Sequence, residues 1–329
     1  MNFRTLDLNL LRVFDEVMSE RSLTRAAENL NMTQPAVSNA IRRLRDALDD
    51  ELVKRAGYGV EPTPRALVLW PIVREALSSL QSSIAPQSFD PTESTDAFTL
   101  TLADATAALL MPALVNTLES LHARVSMRVV PLTTRDPRKL LEAGVADLAI
   151  GHFPVAVSAI RGHKAVTDAP NPFFEHHLYT SEYVCVMRRG HPLAQRKQGK
   201  PLTLDEYCSA AHLRVSFSGR PVSVIDEALA AVNRTRRVVL TVNQFFTAGR
   251  VVTGSDLLTV LPRHFLPSTG MEKELAVYKL PVKLAPLHID LVWHRRNNGL
   301  AAQRWLREVV RAAAEKKADE LGVDTSEPV

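Results

Sequence analysis

The sequence predicts an N-terminal winged helix-turn-helix domain (mainly α), a linker helix, and then an α/β domain in two lobes. Three observations predict it: three short amphipathic segments over 6–48, a glycine hairpin leading into a capped long helix, and strand–helix alternation from residue 98 onward. A chain of 329 residues has room for two or three domains, each burying its own core. The balance of 46% hydrophobic and 23% charged residues, with 13 Gly and 20 Pro, excludes collagen-like and low-complexity chains.

Asp7 can cap a first helix whose apolar stripe is Leu10, Leu11, Phe14, Val17 and Met18. Ser22 can cap a second, carrying Leu23, Ala26, Ala27 and Leu30. After a brief turn, Thr33 suits the cap of a third helix, and Pro35 is tolerable in its first turn, where the missing N–H costs nothing. That helix buries Val37, Ala40, Ile41, Leu44 and Leu48 and shows Gln34, Ser38, Asn39, Arg42, Arg43 and Arg45 on its other side. Two strand-like pieces flank Gly57-Tyr58-Gly59, with Lys54 and Arg55 beside the turn. Thr63-Pro64 opens a helix over 64–84, bent at Pro71, with Leu67, Trp70, Val73, Leu77, Leu80 and Ile84 in one stripe. A linker rich in Pro, Ser, Thr and Asp follows.

Beyond it, strands are predicted at 98–103, 125–132, 146–152, 176–188, 212–217, 237–242, 256–261 and 287–293. Helices fit 107–121, 136–143, 223–232, 244–253 and 301–316, which argues a mostly parallel sheet in two lobes. The stretch 152–172 is long and reads as a loose surface insertion, with a cover over the cleft as the alternative; Phe153 is left out of the site for that reason. The last residues are charged and are expected to fray.

Two helices joined by a short turn, the second opening on small polar residues, can place that second helix end-first in a major groove about 12 Å wide. Gln34 and Asn39 can bond bidentately to adenine, Ser38 suits several bases, and Arg42 or Arg43 can read guanine or clamp phosphate. Thr33 and Pro35 set the entry of the helix, while Lys54 and Arg55 on the wing reach flanking phosphates. The plain alternative is a helical bundle with a solvated basic face. Net charge does not decide between them: residues 1–92 hold 11 Lys+Arg and 12 Asp+Glu, net −1, and the other 237 are net +5.

Along essentially its whole length the sequence resembles LysR-type transcriptional regulators. The carrying residues are Leu8-Asn9-Leu10-Leu11-Arg12-Val13-Phe14, Leu23-Thr24-Arg25-Ala26-Ala27-Glu28-Asn29-Leu30, Thr33-Gln34-Pro35-Ala36-Val37-Ser38-Asn39-Ala40-Ile41-Arg42-Arg43-Leu44 and Pro62-Thr63-Pro64-Arg65-Ala66. Leu44-Arg45 and Glu61-Pro62-Thr63-Pro64 are similar to the branch of nodulation and aromatic-carboxylate-responsive regulators. One departure is Val53, where the wing often carries Phe.

The resemblance implies a homodimer or homotetramer paired through the linker helix, and an effector domain similar to periplasmic solute-binding proteins. It also implies a pseudo-palindromic double-stranded operator and contact with RNA polymerase. The divisions are 1–65 for the winged domain, 66–96 for the linker helix and linker, 97–316 for the effector domain, and 317–329 for a flexible tail. Within the effector domain, lobe I takes about 97–165 and 270–316, and lobe II about 173–268. The Leu67–Ile84 stripe has the spacing of a helix–helix seam; its alternative is a helix lying on its own core.

An effector belongs at the carboxyl ends of the strands, where helix N-termini favour an anion. Asp104, Thr106, Thr133, Thr134, Ser216, Phe217, Ser218, Arg220, Phe245 and Phe246 occupy such ends. Arg220 offers a carboxylate fork and the Phe pair an aromatic wall, fitting a small organic anion such as an aromatic carboxylate. Each also has a plain reading as helix cap, surface charge or core, and Asp104 counts against a bare anion beside it.

No P-loop, G-x-G-x-x-G, G-x-S-x-G or H-E-x-x-H occurs, so an enzyme and a cofactor are not expected. His176 and His177 are adjacent in a predicted strand and face opposite sides, which argues against a shared metal. A helix-turn-helix fused to a catalytic domain and a pure solute-binding protein are the competing readings. The first lacks a nucleophile motif; the second predicts a signal peptide, and residues 1–7 lack a basic region followed by an apolar core. The longest nearly apolar run, 105–118, is too short for a membrane span, which needs roughly 18 residues. Two cysteines without C-x-x-C spacing, Cys185 and Cys208, suit a cytoplasmic setting.

Overall fold

The computed structural model describes residues 6–56, 59–84, 88–163, 171–195, 200–217 and 221–326. Helices α1 (Asn9–Glu20), α2 (Leu23–Asn29) and α3 (Gln34–Leu48) bury one face each against the others. Ser22 Oγ accepts from Arg25 N at 3.4 Å and Thr33 Oγ1 from Ala36 N at 3.3 Å, so two of the three starts use the predicted cap on an otherwise orphaned N–H. At α1, Asp7 accepts from Asn9 N at 3.0 Å. Phe14, Val17, Met18, Ala26, Val37 and Leu44 have no exposed surface, and each of the larger ones contributes about 1.5–3 kcal/mol by leaving water.

The wing is an antiparallel pair, β1 (Val53–Ala56) and β2 (Gly59–Pro62). α1 ends at Arg21 in the left-handed region, φ 52°, and its carbonyl accepts from Val60 N at 2.9 Å. A Cβ on Gly59 would lie 2.5 Å from that carbonyl, so only glycine lets β2 come this close. Asp50 Oδ1 accepts from Leu52 N at 2.7 Å and Thr63 Oγ1 at 2.8 Å, tying the wing to the start of α4 (Pro64–Ile84).

The first lobe is a five-stranded sheet in the order β4 (Ser126–Pro131), β3 (Ala97–Leu102), β5 (Leu148–Gly151), β12 (Leu287–His294), β6 (Phe173–Ser181). β4, β3 and β5 are parallel, whereas β12 runs antiparallel to β5 and β6. Helices α5 (Asp104–Ser120) and α11 (Ala301–Leu321) pack on it through Leu110, Leu114, Leu306 and Val310. α6 (Arg138–Glu142) and α7 (Pro154–Arg161) complete the lobe.

The second lobe holds an antiparallel sheet, β10 (Thr259–Pro262), β7 (Tyr183–Arg188), β11 (Leu275–Lys279). It also holds the parallel pair β8 (Ala211–Val215) and β9 (Arg237–Val242), with α8 (Leu204–Ser209), α9 (Val224–Ala230) and α10 (Phe245–Thr253).

Several expectations are corrected here. The predicted strand 176–188 is two strands separated by Glu182, the crossover between lobes, whose carbonyl accepts from Arg263 N at 2.8 Å. The sequence pattern runs through because no Gly or Pro interrupts it; only their different partners separate the halves. Lobe II therefore begins near Tyr183, not 173, and the chain returns to the first lobe at Leu287, not 270, since β11 pairs with β7. The five-stranded sheet is mixed and the three-stranded sheet antiparallel, rather than mostly parallel; among the described residues, only the pair β8–β9 is wholly parallel.

The expected loose insertion is ordered over 152–163. Phe153 is fully buried, and α7 packs Ala156, Val157 and Ile160 beneath it; residues 164–170 lie outside the described ones. The expected tail begins later, because α11 continues to Leu321 with Ala318 buried, and Thr180 N donates to Asp324 O at 2.7 Å.

Candidate nucleic-acid interface and interlobe cavity

The exposed side of α3 carries Gln34, Pro35, Ser38, Asn39, Arg42 and Arg43, with Thr33 at its cap. Asn39 Oδ1 accepts from Arg42 Nη2 at 2.6 Å, and Arg43 pairs with Asp7 at 3.2 Å with both partners half-exposed, a weak surface contact that a phosphate can displace. Arg45 leaves the group expected from the sequence: its Nη2 donates to the Val53 carbonyl and holds β1 against α3. Lys54 and Arg55 are exposed on β1, Lys54 beside Glu51 at 3.1 Å. The arrangement sets one polar, largely basic helix face and one basic strand on the same small domain.

The stripe on α4 divides. Trp70 and Val73 are buried in the chain's own core, and Trp70 Nε1 donates to Asp15 Oδ1 at 2.7 Å. Leu77 packs on the edge of that core, while Leu67 and Leu80 are exposed, together with Val68 and Ile72; the side chain of Ile84 lies outside the described ones. The apolar surface that a second subunit could cover is thus rotated from the predicted stripe toward Val68 and Ile72. Pattern alone cannot assign a stripe to its own domain or to a partner.

Between the lobes lies a cavity of about 160 Å³. Thr106, Thr133, Thr134, Ser216, Phe217 and Phe245 line it, as the strand-end rule predicts. Phe217 and Phe245 meet edge-to-face with centroids 5.3 Å apart, and Leu132, Ile225, Val260, Leu287 and Ile289 complete an apolar wall. Asp104 and Phe246 are not in it. Asp104 Oδ2 instead accepts from Phe246 N at 2.9 Å, so a carboxylate from the first lobe caps α10 of the second, and that helix start is already filled. Phe246 itself is half-exposed. Ser218 and Arg220 lie outside the described residues.

Arg135, His152, Tyr183, Arg214, Ser223, Arg236 and His264 also line the cavity, and sequence reasoning missed them. Two of them had a signal: His152 directly follows β5 and His264 follows β10, strand ends like those that were used. No Asp or Glu stands among the described lining residues, against three arginines. Arg236 is buried and fully engaged, donating to Asp226 Oδ1 at 2.8 Å, Tyr207 Oη at 3.1 Å and Ser223 Oγ at 3.2 Å. Arg214 pairs with Asp226 at 3.5 Å and donates to Thr241 Oγ1 at 3.1 Å. Arg135 is exposed at the rim.

Burial lowers the imidazole of His264 to about 4, and neither ring nitrogen has a partner, so the cavity wall there is polar and neutral. His152 is lowered too, chiefly by burial, with its Nδ1 held 2.9 Å from the His288 carbonyl. That contact requires a proton on Nδ1, leaving Nε2 of the neutral ring as an acceptor. Among the described residues no group of His, Cys, Asp or Glu is arranged to hold a metal ion, and no helix is long and apolar enough to cross a membrane.

Residues 8–67 match the family described as bacterial regulatory helix-turn-helix protein, lysR family, and residues 92–315 match the LysR substrate binding domain. The chain is 32% identical over 310 residues to the HTH-type transcriptional activator NagR of Ralstonia sp, covering 94% of this chain and 97% of that one. It is 33% identical over 311 residues to the transcriptional activator NahR of Pseudomonas putida, covering 94% and 98%. Nodulation protein D 2 of Rhizobium tropici is 30% identical over 312 residues, covering 94% and 93%.

Among solved structures, a probable transcriptional regulator of Pseudomonas aeruginosa superposes with a TM-score of 0.65 at 29% identity, covering 98% of this chain and 99% of that one. A full-length OxyR variant of Pseudomonas aeruginosa shares the fold, with a TM-score of 0.73 at 16% identity over 98% and 99% of the two chains. With a helix-turn-helix at one end, an interlobe cavity at the other, and both family matches laid over those two parts, the chain belongs to the LysR family of transcriptional regulators.

Proposed function

We propose that the interlobe cavity binds a small organic anion, an aromatic carboxylate in particular, and that its occupancy changes how paired winged domains hold a pseudo-palindromic operator. One observation carries the effector half: Arg135, which unlike Arg214 and Arg236 has no ion-pair partner among the described residues, lines a cavity with aromatic and aliphatic walls and no described carboxylate. Its volume of about 160 Å³ suits a single ring, since a cavity of roughly 150 Å³ accepts benzene. The ring would pack against Phe217 and Phe245, with its carboxylate toward Arg135 and the hydroxyls of Thr133 and Thr134.

On the DNA, Gln34, Ser38 and Asn39 read base edges, Arg42 and Arg43 read guanine or clamp phosphate, and Lys54 and Arg55 hold flanking phosphates, with Thr33 and Pro35 setting the entry of α3. Two copies pair through Leu67, Val68, Ile72 and Leu80 to make a dimer or tetramer that reaches half-sites about one helical turn apart, ~34–36 Å. Such a protein acts where DNA and RNA polymerase are, in the bacterial cytoplasm. The relatives' printed roles as transcriptional activators favour this reading over a catalytic domain.

Calorimetry of the full chain with a series of benzoic acids tests the cavity. Arg135→Ala is expected to weaken the best of them about tenfold, the worth of one charge-assisted hydrogen bond at an exposed rim. Binding that is absent throughout, or indifferent to Arg135, counts against the anion reading. For the interface, DNA recovered by genomic pull-down supplies the operator. Arg42→Ala is expected to weaken binding to it and to flatten its salt dependence by about one unit of slope if the contact is to phosphate. Equal affinity at several salt concentrations would remove Arg42 from the interface.

A further inference from the structure

The segment 132–144 has the cavity at one end and the DNA-binding domain at the other. Leu132, Thr133, Thr134 and Arg135 line the cavity, and α6 follows at once. The helix is anchored at its start, where Thr134 Oγ1 accepts from Asp136 N at 3.1 Å, and Leu141 is fully buried. Five helical residues rise only about 7.5 Å, too short to bend, so displacement of one end reaches the other.

At the carboxyl end two arginines hold backbone carbonyls. Arg296, from the lobe itself, donates to Leu141 O. Arg74, from α4, donates to Gly144 O at 3.1 Å and reaches Ala143 O at 3.5 Å. Arg74 also pairs with Asp15 of α1 at 3.5 Å and lies over the Trp70 ring, 5.2 Å from its centroid. Asp15 accepts from Trp70 Nε1, so one carboxylate and one ring join Arg74 to the domain that carries α3. Gly144 has φ +66°, and a Cβ there would meet Arg74 Nη1 at 2.1 Å; the backbone is shaped to admit the guanidinium. A cleft of about 650 Å³ beside Arg74 leaves this junction room to rearrange.

We infer that α6 is a lever that carries cavity occupancy to the DNA-binding domain within one subunit, with Arg74 as its pin on α1 and Trp70. The inference rests on the cavity being the effector site. A carbonyl hydrogen bond is directional, so α6 cannot shift while both of its ends keep their partners. A ligand that draws Thr133–Arg135 inward therefore moves Arg74, or breaks its contact, and either outcome changes the surroundings of Trp70. Coupling of this kind needs an element whose position both sites bias, and the segment 132–144, with α6 between its ends, meets both.

Fluorine NMR of the full chain labelled with 5-fluorotryptophan reads Trp70 separately from Trp293 and Trp305. Thr134→Val, at the cavity end, is expected to move the Trp70 signal and leave Trp305 in place. In an Arg74→Ala background the same substitution is expected to leave Trp70 unmoved, and Arg74→Lys, which can still donate to the carbonyls, to restore part of the response. Gly144→Ala, which evicts the guanidinium while keeping it in the chain, is expected to behave like Arg74→Ala. A Trp70 signal indifferent to Thr134→Val, or displaced equally with and without Arg74, overturns the lever. Benzoate bound by calorimetry with a silent Trp70 also overturns it while sparing the cavity. No benzoate binding alongside a Thr134→Val response supports the lever and overturns the benzoate assignment alone.

Discussion

Asp226→Ala is expected to destabilise the effector domain by about 3–5 kcal/mol, lowering its unfolding temperature by roughly 10 °C. The Arg236 side chain is only 2% exposed, and Asp226 is its counter-charge at 2.8 Å. Burial opposes ionisation of Asp226, yet the hydrogen bonds and charge of Arg236 with those of Ser223 hold its carboxyl below the usual range. Alanine would leave a buried guanidinium without its partner, the costly half of any buried pair. It would also remove half of the capping box of α9, the Ser223 N donation to Asp226 Oδ2 at 2.8 Å, while the backbone N–H of residue 226 can still donate to Ser223 Oγ. Asp226→Asn keeps an acceptor and is expected to cost less. Asp226→Ala with Arg236→Met removes both charges and is expected to recover most of the loss. Thermal unfolding followed by circular dichroism measures all three. Single and double variants of equal stability would show that the pair is not the linchpin of this lobe.

Acid is expected to destabilise the protein from about pH 6.5 downward, before its carboxylates protonate. His212, His264 and His294 are buried, and burial lowers each to about 4 from an ordinary 6.5. For His212 the Tyr207 carbonyl, 2.7 Å from Nε2, partly opposes that; for His294 the Arg296 charge adds to it. Between pH 6.5 and 4 the unfolded chain binds protons at these positions that the folded chain refuses. Stability therefore falls as pH falls across that window, by up to about 1.4 kcal/mol per pH unit for each histidine. Above pH 6.5 the three contribute no slope. Denaturant unfolding at pH 7.5, 6.5, 5.5 and 4.5 measures the effect. His264→Phe is expected to flatten the curve by one histidine's share, and a wild-type stability unchanged from pH 7 to 5 would contradict the account.

The helix-turn-helix was legible because its determinants are local. Caps sit three residues from the N–H groups they satisfy, and apolar positions recur every three or four residues along one helix. Ser22, Thr33 and the buried face of α3 are found where the spacing places them. The strand-end rule likewise reached Thr106, Thr133, Thr134, Ser216, Phe217 and Phe245, since a strand's end is a local property even when its neighbours are unknown.

What failed has one cause. Asp104 looked like a cavity residue and is a cap for a helix 142 residues away; Arg45 looked like part of the exposed face and turns to a carbonyl of β1. Trp70 and Val73 share a stripe with Leu67 and Leu80, yet the first two are core and the others surface. Each of these depends on which distant segment the chain folds against, and periodicity holds no record of that.

By itself the sequence determined the family, the order of domains and which face of α3 is exposed, because motif spacing and capping act within a few residues. Only the tertiary structure decided the chemistry of the cavity, because Arg135, His152, Arg214, Arg236 and His264 come from separate segments that a long-range fold alone brings together. It decided the junction through Arg74 for the same reason: a guanidinium on α4 finds Asp15 on one side and the carbonyl of Gly144 on the other only after two domains, each folded by its own core, have met.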